Sequence, residues 1–587
     1  METLDCAVIG AGWFGLAAAK QFRCATPSAS LAVFEATSDL GGTWASHRLY
    51  PGIKTNNLLG TYEYPDFPMD PAVFAVPPGE HIPGRVVNDY LHAYATRFGI
   101  APLIRLRTKV IIAEHRDGAD GGWLLTVSGP DGIEARIIAR KLIVATGLTS
   151  RPSVPRFEGQ DDFGGLIFHG RDFARHTDTI QPGSTVAVLG GGKTAFDAVY
   201  AYATAGVKVN WIIRASGHGP SWFSPPFATP FKKWIEELAN IRFLTWFSPC
   251  IWGASDGYPT IRRLLHGTAL GRALVDAFWS LLTADILSLS NYDDHPDTAR
   301  LRPWLGVMYS GTSYSFFNYE TDFLSLVRSD NVSVHIGDVA RLSKDKVHLA
   351  DGTTLAADAL LAHGGWVHVP PVKFLPEGID AELGIPHPPS KVADHAADAD
   401  LAARADEDIF RRFPKLREPP AWDPSHTPPI SRPGFRTSLP NADAGAVTPW
   451  MLHRFTAPVS PRFLRARDTV FVGMVGNFST AITAHIQGLW SAAYMTGRLT
   501  RDPGTSPATE LLYETALHNR FGRWRYPVDW GMRAPSFIFD AVPYLDMLLQ
   551  DLGLQSHRKG GRWAEMWSPY KPGDYRTVNE EWEAANH

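Results

Sequence analysis

The sequence predicts an α/β protein built on two Rossmann-like dinucleotide-binding domains, with a helical insertion and a C-terminal extension. Two glycine-rich turns, about 180 residues apart, carry the prediction. Gly10-Ala11-Gly12-Trp13-Phe14-Gly15 follows the apolar run Cys6–Ile9, and Gly190-Gly191-Gly192-Lys193-Thr194-Ala195 follows Val186–Leu189. In both, a buried strand gives way to a helix. Glycines there let the backbone approach a pyrophosphate, and the helix N-terminus offers unpaired N–H groups and the positive end of its dipole. A single such turn is a weak signal, whereas two in the strand–turn–helix context are a strong one.

The residues that end the next strand of each unit differ in charge. Leu31–Phe34 ends in Glu35, 20 residues past Gly15. A carboxylate there accepts from ribose hydroxyls and suits an unphosphorylated adenosine such as that of FAD or NAD. Val207–Ile213 ends instead in Arg214, with Ser216 close by. A guanidinium in that place grips a 2′-phosphate in bidentate fashion. The simplest assignment is FAD on the first site and NADPH on the second. Lys193 and Thr194 open the second helix, where an ammonium and a hydroxyl meet pyrophosphate oxygens. The plainer alternatives are a solvated strand end for Glu35 and Arg214 and a solvated helix N-terminus for Lys193 and Thr194.

Length and composition bound the rest. At 587 residues the chain exceeds one core and predicts two or three domains. A net charge of −4 advertises no basic face for nucleic acid. Nineteen tryptophans point to an apolar substrate cavity, although large cores account for them equally well. The three cysteines, Cys6, Cys24 and Cys250, form no CxxC, which excludes a redox dithiol and fits a reducing, cytoplasmic compartment. No metal-ligating cluster has credible spacing. The first strand starts about four residues in, leaving no room for a signal peptide. No apolar run approaches the ~18–20 residues of a transmembrane span, and peripheral membrane contact stays open.

Residues 1–155 read as the first part of the FAD-binding domain. They include a meander, Val110–Ala113 and Trp123–Val127, and the closing run Lys141–Gly147; Val110 is placed among the cofactor-binding residues. Pro152 and Pro155 mark a linker. The NADPH-binding domain takes 156–216 and 304–365, interrupted by a Trp-, Phe- and Pro-rich insertion over 217–303. Its clearest helix, Gly271–Leu289, aligns Leu274, Phe278, Leu281 and Leu282. That face suits a substrate-pocket wall or a membrane surface, and Asp276 and Asp285 without any lysine favour the wall. Residues 366–504 return to the FAD-binding domain, with an acidic-faced solvated helix over 396–413, the strand Val470–Gly473 and a helix from near Ser479. The extension, 505–587, has no role assignable from sequence.

With these parts in order, the chain resembles the flavin-containing monooxygenases and their Baeyer–Villiger relatives, class B flavoprotein monooxygenases, and most of all their extended fungal members. The motifs that carry the resemblance span about 500 residues. Beyond the two turns and Glu35 they are Gly41-Gly42-Thr43-Trp44, Thr55-Asn56, Ala145-Thr146-Gly147, and Gln487 with Trp490. The segment Phe163–Phe173, containing His169, fits the family's linker signature F-x-G-x-x-x-H-x-x-x-aromatic. Two departures stand out: the signature closes in Phe173-Ala174, and His363-Gly364-Gly365-Trp366 replaces the usual Ala-Thr-Gly-aromatic.

The resemblance implies that NADPH reduces FAD and that the flavin then forms a C4a-hydroperoxide with O2, which oxygenates a hydrophobic small molecule. It implies cofactor contacts at Gly10, Gly12, Trp13, Phe14, Gly15, Glu35, Gly42, Thr43, Trp44, Thr55, Asn56, Val110, Thr146, Gly147, Gly190, Gly192, Lys193, Thr194, Arg214 and Gln487. Asn56 is the candidate catalytic residue, an amide able to hydrogen-bond flavin and a peroxide oxygen without acting as a base; an Asx-turn role is its bland alternative. Baeyer–Villiger members carry Asp there, so Asn tilts the expected chemistry toward a nitrogen or sulfur centre. Ketone oxygenation and an NADPH-dependent flavin oxidase or dehydrogenase are the alternatives. For His169 a linker-tying role outweighs direct chemistry.

Overall fold

The computed structural model describes residues 1–118, 121–229, 232–388, 395–418, 420, 439–441, 445–527, 531 and 533–586. The first sheet runs Lys373–Leu375, Lys109–Arg116, Gly122–Ser128, Glu134–Val144, Glu2–Ile9, Leu31–Phe34, Ile104–Arg105, with Thr469–Phe471 also paired to Glu134–Val144. One long strand, Glu134–Val144, thus adds to the predicted meander and contains the predicted closing strand. Glu134–Ala139 pairs antiparallel with Gly122–Ser128, while Ile137–Val144 pairs parallel with Glu2–Ile9. The second sheet is wholly parallel: Leu166–Phe168, Ala359–Ala362, Thr185–Leu189, Lys208–Ile213, Val332–Ile336. Both glycine turns leave the C-terminal ends of their strands, where open α/β sheets bind ligands.

The turn after Glu2–Ile9 demands its glycines. Gly10 has φ +106°, and a Cβ on Gly15 would lie 1.9 Å from the Gly10 carbonyl oxygen. The helix Trp13–Ala25 then packs on Thr480–Met495, the helix predicted to begin near Ser479. At its far end the Gln21 amide donates to Asn579 Oδ1 at 3.0 Å and accepts from Asn579 Nδ2 at 2.6 Å. The extension is therefore part of this core. Its helices Ala508–Arg525 and Ala541–Asp551 bury Phe521, Tyr544, Leu548 and Leu549 in the same cluster as the first helix.

Buried charge binds the extension to the insertion. Arg242, wholly inaccessible, donates through Nε to Glu565 at 2.7 Å and through Nη2 to the Tyr570 hydroxyl at 2.9 Å, and Nη1 pairs with Asp546. Nearby, Trp252 Nε1 donates to the Asp540 carbonyl at 3.1 Å, and Arg262 pairs with Asp256 at 2.8 Å.

Two expectations about helices are corrected. The insertion helix extends over Ala269–Ser290, but Val275, Trp279 and Ile286 face the core, whereas Leu274 and Leu281 are exposed. The apolar residues encircle this helix, so periodicity alone does not choose its buried side. Among the described residues it is also the one helix long and apolar enough, by length and composition, to cross a membrane. The helix His395–Arg412 is not simply solvated: Ala405 and Ile409 are buried, and Asp406 accepts from Arg520 Nε and Trp524 Nε1 at 2.8 Å each.

Arg242→Ala leaves two carboxylates unpaired in a dry interior. It is expected to lower the unfolding free energy by about 3–5 kcal/mol, read from denaturant unfolding against wild type; a loss under ~1 kcal/mol would contradict this account.

Candidate flavin and substrate sites

A cavity of about 1040 Å³ runs along the C-terminal edge of the first sheet. Gly10, Gly12, Trp13 and Phe14 form its floor, with Gly42, Thr43 and Trp44 opposite. Val110, Thr146 and Gly147 complete the predicted set in contact with it, and Glu35 lies at one end. Glu35 has two further partners: Oε2 accepts from Ala11 N at 3.0 Å and Oε1 from Thr37 N at 2.9 Å. It holds the turn in shape while facing the cavity. Gly473 closes the floor because a Cβ there would lie 2.7 Å from the Phe14 ring.

The cavity's polar groups fit an anionic dinucleotide. Thr146 Oγ1, Trp13 Nε1 and both ring nitrogens of His47 are buried with no hydrogen-bond partner among the described residues. All three residues line the cavity. Such groups are costly unless a ligand receives them. Arg48 and Arg171 add positive charge at the same wall; burial and then the charge of Arg171 lower Arg48 to about 10. His47, Arg48 and Arg171 were not foreseen. The run Ser46-His47-Arg48 directly after Gly41–Ala45 was the available signal.

Other predicted contacts fall elsewhere. Gly15 packs under Gly10 rather than facing the cavity. Thr55 is buried, its hydroxyl accepting from Ile82 N at 2.9 Å and donating to the Asn57 carbonyl at 2.6 Å. Gln487 is also buried: Oε1 accepts from Gly473 N at 3.1 Å and Nε2 donates to the Tyr544 hydroxyl at 2.7 Å. Neither lines the cavity, and Gln487 acts on its wall through Gly473.

Asn56, half-buried on the strand Lys54–Leu58, faces the second domain. Its Nδ2 donates to Ser315 Oγ at 3.3 Å, and Phe316 N donates to its Oδ1 at 3.4 Å. Next to it, Asn57 Nδ2 donates to the Phe478 carbonyl at 2.9 Å and to Glu236. Glu236, on the insertion helix Ile235–Ala239, also accepts from Leu58 N at 3.3 Å. Burial pushes its carboxyl up to about 7. In sequence Glu236 stands beside Glu237 and just after Lys232 and Lys233, a charged run that reads as solvated.

At the second turn, Gly192 precedes the helix Lys193–Thr204, whose N-terminus has no side-chain cap. Gly190 has φ +146°, and Thr194 lies under Gly170 of the linker. Lys193 departs from expectation. Its ammonium is bound by Asp197 at 2.5 Å and Asn318 at 2.6 Å and sits over the Tyr319 ring, in a cluster that Tyr50 joins by donating to Asp197 at 2.7 Å. The ammonium is held within the second domain, and Asp197 and Asn318 carry the cluster across to Tyr50, Lys54 and Thr55. Arg214, exposed at the end of Lys208–Ile213, lies close to Arg533, whose guanidinium is lowered by burial and then by the charge of Arg214.

His169 joins linker to sheet. Its Nε2 lies 3.0 Å from the Gly365 carbonyl and its Nδ1 accepts from Arg171 N at 3.1 Å, which requires the neutral ring with the proton on Nε2. Burial lowers it to about 4, and burial then His169 lower the adjacent His363 to about 3. Gly365, from the departing His-Gly-Gly-Trp segment, is thus a partner of the linker.

A dinucleotide cavity fused to a second nucleotide-type domain defines a two-domain flavoprotein. The family model described as flavin-binding monooxygenase-like matches residues 4–223. The chain is 32% identical to FAD-dependent monooxygenase rstn6 of Aspergillus nomiae, over 99% of this chain and 98% of the relative. It is 33% identical to a FAD-dependent monooxygenase of Pyrenophora dematioidea, over 94% of this chain and 98% of that one. In fold it is similar to closed cyclohexanone monooxygenase, with TM-score 0.58, 15% identity and coverage of 100% of this chain and 98% of the other. The chain belongs to this flavin-binding monooxygenase family and is a flavin-dependent monooxygenase.

Glu236 gives this site a pH signature. With its folded pKa raised, the stability it contributes is complete below about 4.5 and is lost as pH rises through about 7. The unfolding free energy of Glu236→Gln relative to wild type should therefore rise by on the order of 3 kcal/mol across that window. A difference that stays flat with pH, in denaturant unfolding at stepped pH, would show that Glu236 is not desolvated.

Proposed function

We propose that the chain is an FAD- and NADPH-dependent monooxygenase that adds one oxygen atom to a hydrophobic small molecule at a nitrogen or sulfur centre. For a substrate R–X the balance is R–X + O2 + NADPH + H+ giving R–X–O + H2O + NADP+. Bound FAD supplies the activation of dioxygen, and NADPH supplies the two electrons. Gly10 and Gly15 let the pyrophosphate approach, Glu35 receives ribose hydroxyls, and Thr146 and His47 hydrogen-bond the cofactor. The uncapped helix Lys193–Thr204 receives the second pyrophosphate through its N–H groups and Thr194, and Arg214 the 2′-phosphate.

The observation that carries the choice of reaction is Asn56. Asn56 is a neutral amide braced by Ser315 and Phe316 just beyond the lining of the flavin cavity, at the position where the family resemblance puts a carboxylate in Baeyer–Villiger members. An amide orients an oxygen by hydrogen bonding without organising a counter-ion. The test is product analysis under 18O2 with NADPH, offering a sulfide, a tertiary amine and a ketone. Labelled sulfoxide or N-oxide is expected. Labelled ester or lactone from the ketone would overturn the heteroatom assignment, and NADPH consumption yielding only peroxide would make the enzyme an oxidase.

Arg214→Ala should raise KM for NADPH about 10- to 100-fold, the value of a lost charge-assisted contact, and leave KM for NADH nearly unchanged. Equal losses for both cofactors in steady-state kinetics would refute the 2′-phosphate contact.

A further inference from the structure

A second cleft lies where the insertion, the extension and the loop after Thr469–Phe471 meet. Trp279, Leu282 and Ile286 of the helix Ala269–Ser290 form one wall, Ile538 and Phe539 another, and Phe478 a third. Phe478 lies between Val475 and Thr480, which line the flavin cavity, and its carbonyl accepts from Asn57 beside Asn56. The cleft therefore abuts the predicted reaction centre. Into these apolar walls projects Arg525, 1% exposed.

Arg525 is bound on one side only. Nη2 donates to Ser248 Oγ at 2.9 Å, while Nε and Nη1 have no hydrogen-bond partner among the described residues. Trp279 and Tyr526 flank the guanidinium, at 5.3 and 4.6 Å from their ring centroids. It makes no ion pair with a described carboxylate. Asp540, which could have neutralised it, is instead held by the Tyr526 hydroxyl. Aromatic faces attract a guanidinium, but a buried cation with two idle donors is stable chiefly when an anionic oxygen completes it. Each idle donor shares an edge of the planar group with Nη2, Nε along the side and Nη1 at the end, so the Nη2 hydrogen not given to Ser248 completes one edge able to receive a carboxylate in bidentate fashion.

We infer that this cleft is the substrate site and that Arg525 is its anchor, so that the substrate is an organic anion, a carboxylate joined to an apolar body. This rests on the monooxygenase reading above. In the present conformation the cleft measures about 20 Å³, room for little beyond the anchored oxygen. Seating the apolar body therefore requires the walls of the cleft to part.

The test uses the FAD-loaded enzyme and two probes of equal shape, 4-(methylthio)benzoate and 4-(methylthio)benzamide. Binding is read by titration calorimetry and sulfoxide formation by chromatography. Wild type should bind the acid at least ten-fold more tightly than the amide. Arg525→Met should abolish that preference and Arg525→Lys keep part of it, with flavin absorbance and thermal unfolding showing that both variants fold. Should Arg525→Met fail to fold, the Arg525→Lys comparison and the wild-type preference decide. Equal binding of the two probes by wild type, or a preference that survives in Arg525→Met, would overturn the anchor. Acid-selective binding without any sulfoxide would uphold the anchor and count against the heteroatom reading.

Discussion

Arg242 sets the relation between the parts that sequence left unconnected. It comes from the insertion, its partners Asp546 and Glu565 from the extension, and all are inaccessible or nearly so. A buried ion set of this kind adds little net stability over an apolar replacement, but it tolerates no misfit. Ile235 lies a short way before Arg242, and Ile538 and Phe539 a short way before Asp546. Fixing the charges therefore fixes the walls around Arg525. A parallel set on the other side, Arg454 with Asp551 at 2.8 Å and Trp490 Nε1 with Asp551 at 3.1 Å, holds the extension to the helix behind the flavin cavity.

The interface between the nucleotide domains obeys a similar rule. Asn318 donates to the Lys54 and Thr55 carbonyls at 3.2 and 3.0 Å, Ser315 and Phe316 meet Asn56, and Lys193 shares Asp197 with Tyr50. The candidate catalytic strand is thus positioned by residues of the opposite domain. Any rotation between domains has to break these bonds, and the neutral His169, joined to Gly365, stays with the second sheet as it does so.

Sequence disclosed the two sheets because their signals are local. Strands such as Cys6–Ile9 and Val186–Leu189 are continuous apolar runs, and turns such as Gly10–Gly15 have few other uses. It disclosed the identity of the cavity floor for the same reason. It gave no sign that the polar atoms of Lys193, Thr55 and Gln487 have partners within the chain, up to 125 residues away. Only tertiary structure decides which donors remain for a ligand. The insertion helix failed differently, being apolar on every side. Glu236 and Arg525 were invisible because nothing in their neighbours distinguishes a buried charge from a solvated one.

The pairing of Gln21 with Asn579 spans 558 residues, and Thr469–Phe471 must join a strand that ends at Val144. Neither contact can form until its later partner has been made, and for Asn579 that is the very end of synthesis. At about 5–20 residues per second, the first helix waits on the order of half a minute to two minutes for its last partner. Until Thr480–Met495 is made, the face of the first helix that it covers lies open. A ligand able to seat on the early turn at Gly10–Gly15 would shorten the exposure. The cavity itself draws its lining from Ile9 through Thr480, so it is complete only when most of the chain has been made.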